Sequence, residues 1–138
     1  MIEAKRVASG TYGEVWWNGD KIAEVCKFES KYSKNKEEVS MCQQLATDSK
    51  MTSYKGSGSM TLYKVYSRWA DYADALQEGK DERATMIGKV ADPDSPDSAV
   101  RVALYNVGFD EIPLVNFEAG KVIQETVPFT FTSHKFLS

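Results

Sequence analysis

One histidine and two cysteines in 138 residues leave little material for catalysis. Cys26 and Cys42 are too few for a disulfide framework, so reduced thiols are expected. They have no CxxC spacing and no histidine partner at ligand distance, so no zinc site follows. A Ser-His-Asp or Cys-His apparatus would have to use His134, and nothing near it in sequence would orient it. An exposed residue near the end of the chain is the simpler reading. A basic excess is also missing: the formal charge is -3. A dedicated nucleic-acid binder is therefore not expected, although contact with nucleic acid that slides past is compatible. No run of ~18 apolar residues exists, so no membrane helix is expected. Met1 to Arg6 has no apolar core, so export through a signal peptide is not expected either.

Other motifs fail on inspection. Lys55-Gly56-Ser57-Gly58-Ser59 has two glycines but lacks GxxxxGK[ST], so it is no phosphate loop. Asp92, Asp94 and Asp97 superficially suggest calcium. An EF-hand needs glycine at its sixth position and glutamate at its twelfth, where this chain has Asp97 and Ala103. That run, with Pro93 and Pro96, reads as a polar turn. Trp16, Trp17 and Trp69 read as core or interface residues, because a stacking platform for single strands would want lysines and arginines beside them. No catalytic constellation, metal or cofactor is expected, and the chain reads as a non-enzyme.

What is present suits a folded β-domain. Hydrophobic residues make up 42% of the chain, enough for a core at this length. Asn18-Gly19-Asp20 is a hairpin signal, since both central residues must take positive φ. It separates a short strand, Glu14 to Trp17, from an alternating run, Lys21 to Tyr32. Ile22, Cys26, Phe28 and Tyr32 share one face of that run; Lys27, Glu29 and Lys31 lie on the other. Residues 33–54 show no clear period beyond about Val39. A second alternating run, Lys55 to Tyr66, places Ser57, Ser59 and Thr61 opposite Met60 and Leu62. Gly56 and Gly58 lie on its apolar side, where glycine inside a strand marks a bend or the close approach of another backbone.

Ser67 reads as a helix N-cap. Trp69, Tyr72, Ala73 and Leu76 follow at the spacing of one helical face, and Gly79 is the stop. Arg83 to Val90 is a strand. Ala99 to Phe109, apolar on both faces, is a central strand. Ile112 to Gly120 connects to Lys121–Thr132. There Ile123, Val127, Phe129 and Phe131 oppose Gln124, Thr126, Thr130 and Thr132, and Pro128 suggests a bulge or an edge. The fold class is mainly β: an antiparallel sandwich or open barrel of six strands, one packed α-helix and a long projecting loop. The whole chain, 1–138, reads as one domain, with residues 34–54 as the arm. A structureless stretch of about 20 residues inside a compact domain is usually functional or disordered; self-assembly would explain it, a small enzyme site would not.

These residues resemble a family. The pattern includes Ser9-Gly10 leading into Gly13-Glu14-Val15, Asn18-Gly19-Asp20 followed by Phe28-Glu29, and Lys34-Asn35-Lys36. It continues with Gly56-Ser57-Gly58, Leu62-Tyr63-Lys64-Val65 and Arg101-Val102-Ala103-Leu104-Tyr105. The ending Glu125-Thr126-Val127-Pro128-Phe129-Thr130-Phe131 looks like the family's last strand. Together they resemble the tail tube proteins of contractile phage tails, the group typified by the defective prophage PBSX, used also in R-type bacteriocins.

The resemblance implies hexameric rings stacked into a tube inside a contractile sheath, with each subunit giving strands to a continuous inner barrel. The implied partners are further copies of the chain, the sheath protein, and baseplate and tail-terminator proteins. DNA is implied only as passing cargo, and no stable membrane binding is expected. Assembly is expected in the bacterial cytoplasm, and the product is part of a virion tail or a released bacteriocin. On this reading Lys27, Glu29, Lys31, Ser57, Ser59, Thr61, Gln124 and Thr126 line the lumen. Contacts between rings and subunits fall to Lys34, Asn35, Lys36, Glu37, Glu38, Val39, Met41, Leu45, Met51 and Tyr54. A weakly charged, hydroxyl-rich wall suits passage, because a strongly basic one would hold DNA through counterion release. The rival class is a monomeric β-barrel that binds a small ligand in an apolar interior. A ring of the type VI secretion class is a third reading.

Overall fold

A computed structural model of the protein describes residues 1–137. It contains β1 (Gly13–Trp17), β2 (Asp20–Lys21), β3 (Val25–Val39), β4 (Asp48–Tyr63), α1 (Ala70–Gln77), β5 (Ala84–Val90), β6 (Val100–Phe109), β7 (Gln124–Phe131) and β8 (Ser133–Phe136). All pairings are antiparallel, in the order β2-β1-β5-β6-β7-β4-β3, with β8 added against β6. β6 joins two halves. Its early residues pair with β5 and β8, and Gly108 and Phe109 pair with β7. Asn106, at φ 58, lies in the register shift between the Met86–Leu104 and Ala84–Val107 pairs of β5 and β6.

The sheet rolls around a core of Val15, Trp17, Met60, Leu62, Met86, Leu104, Val107, Val127, Phe129 and Phe131. Alternation makes this possible: the odd residues of β7 and the even residues of β4 turn inward together. Phe28 closes part of the roll. Its ring stacks on Phe129 and lies against Gly88 of β5, so close that a Cβ there would stand 3.0 Å from the ring. The sheet does not close, because β3 pairs with β4 alone among the described residues. α1 lies beside an aromatic cluster of Trp17, Trp69, Tyr72 and Phe109, in which Trp17 Nε1 donates to Tyr72 Oη at 3.1 Å. Burial of the Tyr72 phenol holds its pKa above the ordinary range, and the Trp17 hydrogen bond opposes the rise only in part.

Several sequence expectations are corrected. Eight strands form among the described residues, not six; the two-residue β2 and the short β8 carry too little pattern to be read. Asn18 and Gly19 do take positive φ, at 51 and 90, but the run after them is interrupted. β2 ends at Lys21, Ile22 enters the core, and β3 starts at Val25 in the other half of the sheet. Cys26 sits at a register shift between Val25 and Lys27 and is exposed, so it does not join Phe28 in the core. Ser67 is not the helix cap: Trp69 takes that place, α1 has 8 residues, and Leu76 is 61% exposed.

Pro128 makes no bulge but stands at an edge, one residue past the end of the β6–β7 ladder. Its carbonyl accepts from Asp110 N, so its missing N–H points to the side where the β6 ladder has just ended. The β4 ladder on its other side continues without a shift. The segment before β1 is fastened to the fold: Ser9 N donates to Asp92 Oδ2 at 3.0 Å, and Ser95 Oγ donates to the Arg6 carbonyl. The proline run is therefore an anchor for that segment, built on the buried Asp92.

Candidate assembly surface

Register decides which side chains share a face. Across β3, β4 and β7, Lys27 stands opposite Thr61, which stands opposite Thr126. Glu29 and Ser59 form the next row, ending in Pro128, and Lys31 and Ser57 the next, ending in Thr130. Tyr63 stands opposite Gln124. Lys27, Glu29, Lys31, Ser57, Ser59, Thr61, Gln124 and Thr126 therefore lie together on the face turned away from the core. Short hydrogen-bonding groups link neighbouring strands within these rows. Thr61 Oγ1 and Thr126 Oγ1 are 3.1 Å apart, and Ser59 Oγ donates to Glu29 Oε1 at 3.4 Å. Sequence reasoning put Thr130 on this face of β7 without assigning it to the lining, and missed Tyr63; the register, which no single strand reveals, sets them opposite Ser57 and Gln124.

The reverse face explains the glycines. A Cβ on Gly56 would stand 2.6 Å from the Phe131 ring. One on Gly58 would stand 2.2 Å from the Glu29 carbonyl oxygen and 2.7 Å from the Phe129 ring. Two large rings thus lie directly on β4, and only hydrogen fits beneath them. The wall is thin at this point: rings on one side, hydroxyls on the other.

Beyond the row of Tyr32, Gly56 and Phe131, β7 stops and the β3–β4 hairpin continues with no third strand. This is the arm, and it is a paired ribbon rather than a structureless loop. Lys34 pairs with Tyr54, Asn35 with Ser53, Lys36 with Met51, Glu37 with Lys50, Glu38 with Ser49 and Val39 with Asp48. A register shift after Asn35 leaves Thr52 extra, and its hydroxyl donates to the Asn35 carbonyl at 3.2 Å. Only residues 40–47 lie outside the ladder. Met41 and Leu45 are exposed at this tip. Sequence reasoning missed the pairing because both faces are solvated, so no hydrophobic period of two develops.

The arm's root is aromatic. Tyr32 packs against Tyr54, Phe131 and His134, and its hydroxyl lies 2.6 Å from His134 Nδ1. Desolvation of the phenol and the neighbouring Tyr54 raise the Tyr32 pKa above its ordinary value. His134 is therefore an exposed strand residue that buttresses the arm. Tyr32, Lys34, Met51, Tyr54, Ser133 and His134 frame a groove of about 470 Å³ there.

Two further features went unread in the sequence. Glu125 lies on the core side of β7 with its carboxylate buried, 3.7 Å from Lys64 Nζ, and its Oε1 has no partner. The connector between β6 and β7 exposes Leu114, Val115, Phe117 and Val122, each more than three-quarters exposed. A cluster of large apolar residues in one loop was the available signal. Among the described residues, no group of three or more His, Cys, Asp or Glu could hold a metal, and no helix is long and apolar enough to cross a membrane.

Comparison with known proteins gives one direction. The model of a family of phage tail tube proteins matches residues 1–138. The phage-like element PBSX protein XkdM of Bacillus subtilis (strain 168) is 32% identical over 132 residues, spanning 94% of this chain and 90% of that protein. The tube-terminating cap of the anti-feeding prophage shares the fold at TM-score 0.75 and 7% identity, covering 100% of this chain and 95% of that one. A chain of the PVC sheath-tube complex, an extracellular contractile injection system, aligns at TM-score 0.70 and 8% identity, over 98% and 94% of the two chains.

Proposed function

Since the chain belongs to the phage tail tube protein family, we propose that it is the structural subunit of the inner tube of a contractile injection particle. The observation that carries this reading is the three-stranded wall of β3, β4 and β7. Its outer face is hydroxyl-rich with charges of both signs, its inner face carries the core, and β3 leaves a long unpaired edge. An unpaired edge is a template for another strand, and a head-to-tail contact that closes removes every such edge.

In this account six copies close into a ring, with β3 of one copy set beside the β7 side of the next. The face of Lys27, Glu29, Lys31, Ser57, Ser59, Thr61, Gln124 and Thr126 lines the channel. The three charges on it, Lys27, Glu29 and Lys31, leave only one net positive charge per copy, and hydroxyls fill the rest, so a polyanion meets a wet wall of low positive charge rather than a strongly basic one. The arm, from Lys34 to Tyr54, reaches the neighbouring ring, offering Val39, Met41 and Leu45 toward its tip and Met51 and Tyr54 near its root. Further copies, sheath, baseplate and terminator proteins are its partners; DNA passes without being held. The subunit assembles in the bacterial cytoplasm and ends in a virion tail or a released particle. The role is structural rather than enzymatic.

Electron microscopy with mass photometry of the purified chain at high concentration, alone and with a purified baseplate, tests this. Hollow rings or stacked tubes of hexamer multiples are expected. A chain that stays monomeric in both conditions would overturn the proposal in favour of a ligand-binding barrel.

A further inference from the structure

The open seam of the roll and the apolar connector are two unmatched surfaces of the same chain. The seam lies between the free edge of β3 and the β1–β5–β6 layer. It forms a groove of about 520 Å³ lined by Val15, Val25, Phe28, Gly88, Val100 and Val102. The connector, residues 110–123, exposes Leu114 at 78%, Val115 at 80%, Phe117 at 83% and Val122 at 76%. Clustered apolar exposure of this kind marks a surface that another surface covers.

Register places the two at matching heights. Val25 of β3 pairs with Leu62, and Leu62 pairs with Glu125 of β7, so the start of β3 and the start of β7 lie at the same end of the wall. The connector runs directly into Gln124, at that end. β3 and β7 lie on opposite sides of β4, so within one copy the connector and the β3 edge of the seam are separated by the width of the wall. When β3 of one copy stands beside β7 of the next, the next copy's connector arrives at the mouth of the first copy's seam.

We propose that the connector of one copy seats Leu114, Val115 and Phe117 in the β3 seam of its neighbour, locking the ring from outside the channel wall. This rests on the ring reading. It adds a second contact to the edge pairing, apolar where the first is backbone hydrogen bonding. It also assigns the open seam an occupant: a second copy of the chain rather than a small molecule.

Cys26 lines the groove and provides a native reporter. In the full chain, Cys42→Ser combined with Phe117→Cys, or separately with Val115→Cys, is assembled, checked for rings by mass photometry and oxidised with diamide. A ladder of disulfide-linked multimers rising to the full ring is expected on a non-reducing gel, with none from Cys42→Ser alone. Rings of normal size that cross-link in neither variant overturn the docking while leaving the ring intact. Failure of the unsubstituted chain to form rings, both alone and on a purified baseplate, removes the ring reading, and the docking with it. In a second arm, Leu114→Asp with Phe117→Asp should leave the protomer's circular dichroism unchanged, because both side chains are exposed, and reduce ring formation at least tenfold. Undiminished rings from that variant also overturn the proposal.

Discussion

Replacing Gly58 by alanine should damage the β3–β4–β7 wall out of proportion to one methyl group. In a strand interior, glycine is ordinarily worse than alanine by about 0.5–1 kcal/mol, so a neutral site would gain by the change. At Gly58 the new Cβ would stand 2.2 Å from the Glu29 carbonyl oxygen and 2.7 Å from the Phe129 ring. The ring can shift. The carbonyl belongs to the β3 backbone and cannot move without parting the β3–β4 ladder. Overpacking costs typically about 1–3 kcal/mol, and a backbone obstacle puts this case at the upper end. The net loss is then about 2 kcal/mol, and for a domain of this size about 6–10 °C in Tm. Gly56→Ala meets only the far edge of the Phe131 ring, at 2.6 Å, and should cost less. Gly10→Ala, with nothing within 4 Å, should be nearly silent. Denaturant titration of the three protomer variants measures this. Gly58→Ala within about 0.5 kcal/mol of the parent, or milder than Gly56→Ala, would refute the reasoning, since surface-like changes fall in that range.

Three other outcomes follow from buried polar groups. Tyr72→Phe strips the Trp17 indole of its acceptor and should cost about 1–2 kcal/mol in a denaturant titration, with tryptophan emission reporting the transition. Burial disfavours the Glu24 carboxylate, but hydrogen bonds from the Arg68 guanidinium and the backbone, with the Arg68 charge, outweigh it and hold the pKa below its ordinary 4.5. That contribution is present above pH 4.5 and is lost as pH falls through the lowered value. Arg68→Met should therefore cost about 3 kcal/mol at neutral pH, where it strands a buried carboxylate, and the gap from the parent should narrow at low pH. Glu125→Met should be neutral or stabilising by about 1–2 kcal/mol, because it removes a buried oxygen with no partner and leaves Lys64 partly solvated.

The sequence disclosed the parts whose burial differs sharply between faces. β7 was legible because Val127, Phe129 and Phe131 alternate with threonines, and the wall's outer face because serine and threonine replace the usual lysine and glutamate. The arm's ladder was not legible: with both faces in water, the pairing of Lys34–Val39 with Asp48–Tyr54 imposes no pattern. Glu125 escaped because a glutamate inside an alternating strand breaks no rule until its neighbours are known. The break between β2 and β3 escaped for a related reason. Ile22 and Phe28 are both apolar at even positions, and only the three-dimensional path shows that they belong to different halves of the sheet. The connector's exposed apolar residues were visible one by one, and became meaningful only beside the open seam.

The most direct test of the central claim is a cryo-EM reconstruction of tubes assembled from this chain, at a resolution that separates strands. The account predicts a six-fold ring in which Ser57, Ser59, Thr61 and Thr126 face the channel and the β3–β4 arm reaches the adjacent ring. A tube with that face turned outward, or the absence of any tube on a purified baseplate, would contradict it.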